Sequence, residues 1–557
     1  VSPFKFLETW LHTLDNPDGE FQRILSKTYG SDETVLTGRK SLLQKALTLY
    51  GTRFGNDPVR VFRCPGRVNL RGMHVDTHGG YLNLITHQRE TIFVVSLATD
   101  TRCTFVNLNP EYEEGQFDAL EVTQSAADAP DWERVLSSPS VKSLIRERRG
   151  HWCNYLQGVF ARVAHAARCP ISKGVRAVVA SDLPAGAGLS SSHSVCTCLL
   201  YALCGLFDVS LSDAERILCV RDAEWYAGAR SGVSDQGAMI LCKNGELVNA
   251  PLYLPELDLS EVRRIYPSDA VCLLVINSYT TRSLSGAQLV EYTRNRFAYS
   301  MALDIFRQEL RRQGVAESFV CSVDRLARLS PDYLKPVGGL SLLYSVLLSV
   351  PERISLQELR SRYVLDRFEQ VYTQYFGGIP EENRPKEIAL RGPLLYGIAE
   401  SERARKFFDY VKQEDWISAG KLMTIGHDGD RRVRFDGREV CPDVSDGFLA
   451  RARRDNISIE LLPGDYGASS PALDALVDSA LGAGALGACL TGAGIAGSVI
   501  ALCRRDDAER VSNAVRQFMG GREYARLAGR DDKRLSYREL EEAVVLNHRT
   551  AGAGEIT

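Results

Sequence analysis

Nothing in this chain is spaced to build a disulfide framework or a compact metal cluster. Its 14 cysteines include no C-x-x-C pair with partner histidines, and its nine histidines show no H-E-x-x-H spacing. The tightest group, Cys196, Cys198 and Cys204, lies in the apolar run "VCTCLLYALCGLF", where a free thiol acts as a small buried hydrophobe. No apolar run is long enough to span a bilayer, and the longest, "LSLLYSVLLSV" (340–350), stops at Pro351. The start, "VSPFKFLETW", lacks the basic and then apolar order of a signal peptide. An excess of positive charge is missing too. With 67 Lys and Arg against 70 Asp and Glu, the net charge is −3, which excludes a polyanion such as nucleic acid as the expected partner. Even the basic stretch Arg146 to Arg149 is interrupted by Glu147 and reads as a solvated helix face. Repeats and low-complexity tracts are absent. The expectation is a reduced, cytoplasmic protein with no membrane or nucleic-acid partner.

What is present is a chain of 557 residues, 44% hydrophobic and 25% charged, long enough for two or three domains with separate cores. Residues 1–41 read as an N-terminal extension of helices and loops, and "GRKSLLQKALTLYGTRFG" has helical spacing before a glycine stop. From Val59 the pattern alternates: "VRVFRCPGRVNL" and "ETIFVVSLATD" predict strands joined by a glycine-rich turn. "GVRAVVASDL" predicts another strand, which feeds a glycine loop and a long apolar helix. "DAVCLLVINS" (269–278) opens a second strand-rich unit, so the domains are expected at 42–260 and 261–545. Helical insertions are expected near 315–385 and 425–465, "EYTRNRFAYSMALDIFRQELRRQG" reads as one amphipathic helix, and 546–557 reads as a flexible tail.

Three segments carry chemistry. "PAGAGLSSSHS" (184–194) places Gly186 and Gly188 where backbone N–H groups can approach a ligand, then enters a helix whose first turn leaves donors unpaired. Leu189 and the hydroxyls of Ser190, Ser191 and Ser192 complete an anion site. It is not a Walker A loop, because no Gly-Lys-Ser/Thr follows. By itself it reads equally as a serine cap on a core helix. "DAEWYAGARSGVSDQGAM" (222–239) holds Glu224, able to give an oxygen to a hard cation, and Asp235, able to accept or orient a hydroxyl proton. Each acid alone reads more simply as a surface or capping residue. "LTGAGIAGSVIAL" (490–502) sets Gly492, Gly494 and Gly497 between two apolar runs, as a plain hairpin also would.

Together with "PGRVNLRGMHVDTHGG" (65–80), these ordered segments resemble the GHMP superfamily of small-molecule kinases, and within it the galactokinases. "HWCNYLQGVF" (151–160), "VINSYTTRSLSGAQLVEYTRNR" (275–296) and "YGASSPALDALVDSAL" (466–481) extend the likeness from about Leu42 to Gly520. The resemblance implies a mixed α/β fold of two domains, with ATP, Mg2+ and a sugar in the cleft between them. It implies Arg67 as the cation near the transferring phosphate and Asp235 as the catalytic carboxylate. His74, Asp76, Tyr292 and the backbone at Gly232 would hold the sugar. Gly186 to Ser192 would hold the phosphates, Trp152 would lie near the nucleotide or in the core, and one serine, taken as Ser191, would share magnesium with Glu224.

The departures concern substrate choice. Met73 stands where galactokinases carry a glutamate that bonds the sugar's outer hydroxyls, and a thioether accepts such a bond poorly. A buried hydroxyl left without that partner loses about 1–3 kcal/mol. The acceptor then either lacks a C6 hydroxyl, as arabinose and fucose do, or bears a C6 carboxylate, as galacturonate does, which Arg71 would pair with unless it faces solvent. Thr77 and His78 replace the usual Tyr and Asn, Ala496 replaces a glycine, and His193 stands where a small residue is usual. An ATP-dependent sugar 1-kinase is the first expectation. The alternative is a sugar- and ATP-binding sensor that presents its extra segments to a protein partner.

Overall fold

The computed structural model describes residues 4–16, 19–148, 150–184, 186–253, 257–280, 287–434, 437–531 and 533–557, without the side chains of 287–292. It is a mixed α/β fold of an N-terminal and a C-terminal domain. Each domain is organised by one sheet.

The first sheet has nine strands. Its path runs Lys5–Phe6, Pro58–Arg71, Tyr81–Leu97, Val175–Ser181, Arg102–Asn107 and Gly115–Asp118, with Leu247–Pro251 and Arg263–Ile265 branching from Tyr81–Leu97. Alternation decides which side chains face which layer. Val59, Val61, Ile92, Val94, Val178 and Ala180 point into a core roofed by the helices Leu7–Asp15, Gly19–Tyr29 and Glu33–Phe54. Their sequence neighbours Phe62, Phe93, Val95, Ala177 and Val179 enter the opposite core, under Trp152–Ala167, Ser191–Leu206 and Asp213–Tyr226. Both faces are buried, so the strand centres 92–95 and 177–180 read as continuous apolar runs. The N-terminal extension is therefore one whole layer of the domain.

The second sheet orders Gly487–Thr491, Ser498–Arg504, Val271–Asn277 and Val544–Leu546, all antiparallel. Arg263–Ile265 still belongs to the first sheet and Val271–Asn277 opens the second, so the chain changes sheet within 266–270. The stretch 315–385 folds into helices and the strand Arg353–Ser355, which pairs with Glu387–Ala389 just beyond it. It buries Leu343, Leu347, Phe368 and Phe376 against Phe297 and Phe306. Among the described residues no helix is long and apolar enough to cross a membrane.

Two expectations are corrected. The helix expected to run from 291 to 314 is two, Ala287–Ser300 and Ala302–Arg312, separated at Met301. The tail is no flexible end: Gly554–Glu555 pairs with Phe62 and Arg63, Ile556 enters the outer core, and Arg63 Nη1 donates to the carbonyl of Gly552 at 2.8 Å. Backbone pairing and a buried guanidinium hold a segment whose own composition gives no signal.

Candidate active site

The loop between Val175–Ser181 and Ser191–Leu206 turns through left-handed backbone at Gly186 (φ 75°), Gly188 (φ 74°) and Ser190 (φ 61°). The two glycines adopt this freely, whereas Ser190 is held in it by contacts. Its hydroxyl donates to Asp235 Oδ2. The C-terminal glycine hairpin backs the loop: Ser498 Oγ donates to the Ala187 carbonyl at 2.5 Å, and a Cβ on Gly497 would press to 3.3 Å from Gly188.

Arg67 closes the arrangement. Its Nε donates to Asp235 Oδ1 at 2.7 Å, its Nη1 donates to the Gly188 carbonyl at 2.5 Å, and Gly492 passes close beside its guanidinium. Segments around residues 188, 235 and 492 thus meet at one side chain. Burial alone would raise the Asp235 pKa. The charges of Arg67 and His193, with hydrogen bonds from Arg67 and Ser190, outweigh it and hold the carboxyl well below the usual carboxylate range. Glu224, on the helix Asp213–Tyr226, behaves oppositely: burial raises its pKa despite His193 and the Ser192 hydroxyl. Among the loop serines, Ser192 is the one whose hydroxyl acts on the Glu224 carboxyl.

Asp76 sits in the turn Asp76–His78 and accepts the backbone N–H groups of Val233 (3.2 Å) and Ser234 (3.3 Å), which caps the helix carrying Asp235. Gly232 is required there, because a Cβ would collide with the Asp76 carboxylate. His74, at φ 65°, stacks on Tyr466 with ring centroids 4.5 Å apart and places Nε2 3.7 Å from Asp430 Oδ1. Burial pushes the Asp430 carboxyl up to about 6, against the Tyr396 hydroxyl that bonds it at 2.8 Å. Trp152 opens its helix, spends its indole N–H on the Glu113 carbonyl at 2.9 Å and packs edge-on to Tyr112. The Tyr292 side chain lies outside the described residues.

Arg71 and Met73 need correcting. Arg71 faces neither solvent nor an open pocket: it is 1% exposed, donates to the carbonyls of Leu422 and Met423 at 3.2 Å and lies 3.5 Å from Glu400. Met73 is also 1% exposed, in a core with Leu70, Phe407 and Met423. Glu400 receives the backbone N–H groups of Gly72 (2.7 Å) and Met73 (3.3 Å) and the Arg403 guanidinium (2.7 Å). The sequence gives no hint of Glu400, whose stretch "AESERARK" reads as a solvated helix face.

Two glycine-bearing segments and an arginine–aspartate pair thus meet at the start of one helix. The family description "GHMP kinases N terminal domain" fits residues 154–243, and "GHMP kinases C terminal" fits 404–521. The chain carries matches to both GHMP kinase domains. A third description, "Galactokinase galactose-binding signature", fits residues 48–97. A galactokinase of Clostridium perfringens (strain ATCC 13124) is 32% identical over 189 residues, which is 34% of this chain and 43% of that protein. The chain thus matches less than half the length of that relative. A galactokinase of Chloroflexus aggregans is 26% identical over 353 residues, 62% of this chain and 81% of that one. Among solved structures, Lactococcus lactis galactokinase complexed with galactose superposes with a TM-score of 0.58 at 19% identity, covering 91% of this chain and 97% of that one. At that identity the likeness speaks for the fold.

Proposed function

We propose that this protein is a GHMP kinase that transfers the γ-phosphoryl group of ATP to the anomeric C1 hydroxyl of a galactose-configured monosaccharide or a C6-altered relative, giving the sugar 1-phosphate and ADP. The observation that carries the reading is Arg67, bonded at once to Asp235 and to the Gly188 carbonyl of the glycine loop. A hydroxyl placed beside Asp235 then faces phosphates cradled by Gly186 to Ser192. The C1 oxygen forms its bond to the γ-phosphorus as the bond to the β-bridging oxygen breaks, and the hydroxyl proton leaves by way of Asp235. Arg67 stabilises charge on the transferring group. Because Asp235 is so weakly basic, its main contribution is to orient the hydroxyl, with full proton acceptance late in the transfer.

A divalent cation bound with ATP would neutralise charge on the β- and γ-phosphate oxygens. Glu224 Oε1, buried without a hydrogen-bond partner among the described residues, and the Ser192 hydroxyl fit such a cation as oxygen donors. His74, Asp76 and the Gly232 backbone hold the sugar in this reading, and Tyr292 is proposed beside them. Next to Met73, the guanidiniums of Arg71 and Arg403 outnumber the carboxylate of Glu400. These groups are spent on one another and on backbone partners in a closed core, so they do not choose between galacturonate, fucose, arabinose and galactose. The sensor alternative loses one support, since the extension and the 315–385 insertion are spent on core packing.

The test is ADP release with galactose, galacturonate, arabinose and fucose, each alongside a no-sugar control. Stimulation by one of them supports the reading, and ATP binding without stimulation by any of them favours the sensor.

A further inference from the structure

His193 occupies the third helical position after the cap Ser190, only 6% exposed, between the two acids of the site. Its Nδ1 lies 3.5 Å from Glu224 Oε1 and 3.4 Å from Asp235 Oδ2. Both separations exceed those of an N–H···O bond. Among the described residues both ring nitrogens and Glu224 Oε1 are buried with no hydrogen-bond partner. Such atoms are costly unless something binds them. Two donors that share one cation at ordinary bond lengths lie about 3.0–3.4 Å apart. The His193–Glu224 separation is close to that of joint ligands and too long for an N–H···O bond.

Resting on the kinase reading above, we propose that His193 Nδ1 and Glu224 Oε1 jointly ligate the divalent cation that accompanies the nucleotide, and that the nitrogen donor shifts the preferred cation from magnesium to manganese or cobalt. Magnesium takes oxygen donors, whereas imidazole suits later first-row metals. Asp235 stays outside the shell because Arg67 and Ser190 already hold its oxygens. Among the described residues no three acidic, histidine or cysteine side chains converge as a self-sufficient metal site. Phosphate oxygens, water and the Ser192 hydroxyl beside Glu224 must therefore complete the coordination, so the cation binds with the nucleotide and not before it.

The full chain is titrated calorimetrically with a non-hydrolysable ATP analogue in magnesium, in manganese and in EDTA, and the manganese complex is examined by pulsed electron paramagnetic resonance. The expected result is at least tenfold tighter binding with manganese than with magnesium, together with an imidazole-nitrogen coupling to the metal. In His193→Ala the coupling disappears and the cation preference falls to within about twofold. Should that variant fail to fold, the wild-type spectrum and His193→Gln decide. Bound nucleotide with manganese showing no nitrogen coupling, or binding indifferent to any cation, overturns the assignment while leaving the kinase reading intact. No nucleotide binding under any condition sinks the kinase reading, and this inference with it.

Discussion

Arg67 and Arg71 lie four residues apart on one strand, Pro58–Arg71, yet they serve opposite kinds of site. Around Arg67, three glycine-bearing segments converge and polar atoms of His193 and Glu224 are left without partners among the described residues. Around Arg71, the charged groups are spent on one another: Glu400 is shared by Arg71, Arg403 and two backbone N–H groups, with all three side chains almost wholly buried. The first cluster keeps binding capacity in reserve for a ligand. The second is a clamp that ties the segment 65–80 to the helix Arg391–Lys412. A paired charge is informative about function only when its remaining hydrogen-bonding capacity is known.

If that contrast is right, substitutions at the two ends fail in different currencies. Asp235→Asn should lower sugar-dependent turnover by about 10²–10⁴-fold in a coupled ADP assay, with nucleotide affinity by calorimetry changed little. Loss of nucleotide binding instead would make Asp235 a structural partner of Arg67. Next, Glu400→Gln should destabilise the fold by about 3–5 kcal/mol in urea titration, because two guanidiniums stay buried with no carboxylate. An unchanged midpoint would show that solvent reaches the clamp. Met73→Glu places a second carboxylate beside Glu400 in a closed core, and about 1–3 kcal/mol should be lost. Full stability with a shift toward galactose would instead put residue 73 in contact with the sugar.

The smallest effect separates the two ends by pH. Asp430, pushed up to about 6, binds more protons folded than unfolded between the ordinary aspartate value and about 6. Its contribution to stability is full below that window and declines as pH rises through it. Asp235 has the reverse sign: its contribution is present above the ordinary value and is lost only in stronger acid. Urea midpoints at pH 4.5 and 7.5 for the wild type and Asp430→Asn should therefore differ in slope, with the Asn variant gaining relative to wild type at the higher pH. Parallel slopes would mean that Asp430 titrates as an ordinary carboxylate.

Much of the frame was legible from period and punctuation. Alternation in 58–71 and 81–97 assigns side chains to two cores, and the glycines of 186–188 and 492–497 mark the places where backbones approach closely. Arg67 and Asp235 were legible through resemblance, since neither spacing nor composition joins residues 168 positions apart. The clamp was not. Glu400 and Arg403 have the composition of a solvated helix, and only packing between domains buries them. Arg71, expected to meet a carboxylate or solvent, and Met73, expected beside the sugar, are both buried for the same reason. The tail was missed because its binding lies in backbone pairing with Phe62 and Arg63, which leaves no periodic trace in "HRTAGAGEIT".

Phosphorus–proton NMR of the product made from ATP and whichever sugar stimulates ADP release addresses the phosphoryl-transfer account most directly. A phosphorus coupled to the anomeric proton is the predicted result. Coupling to a proton on any other carbon, or no phosphorylated sugar despite bound ATP, would contradict it.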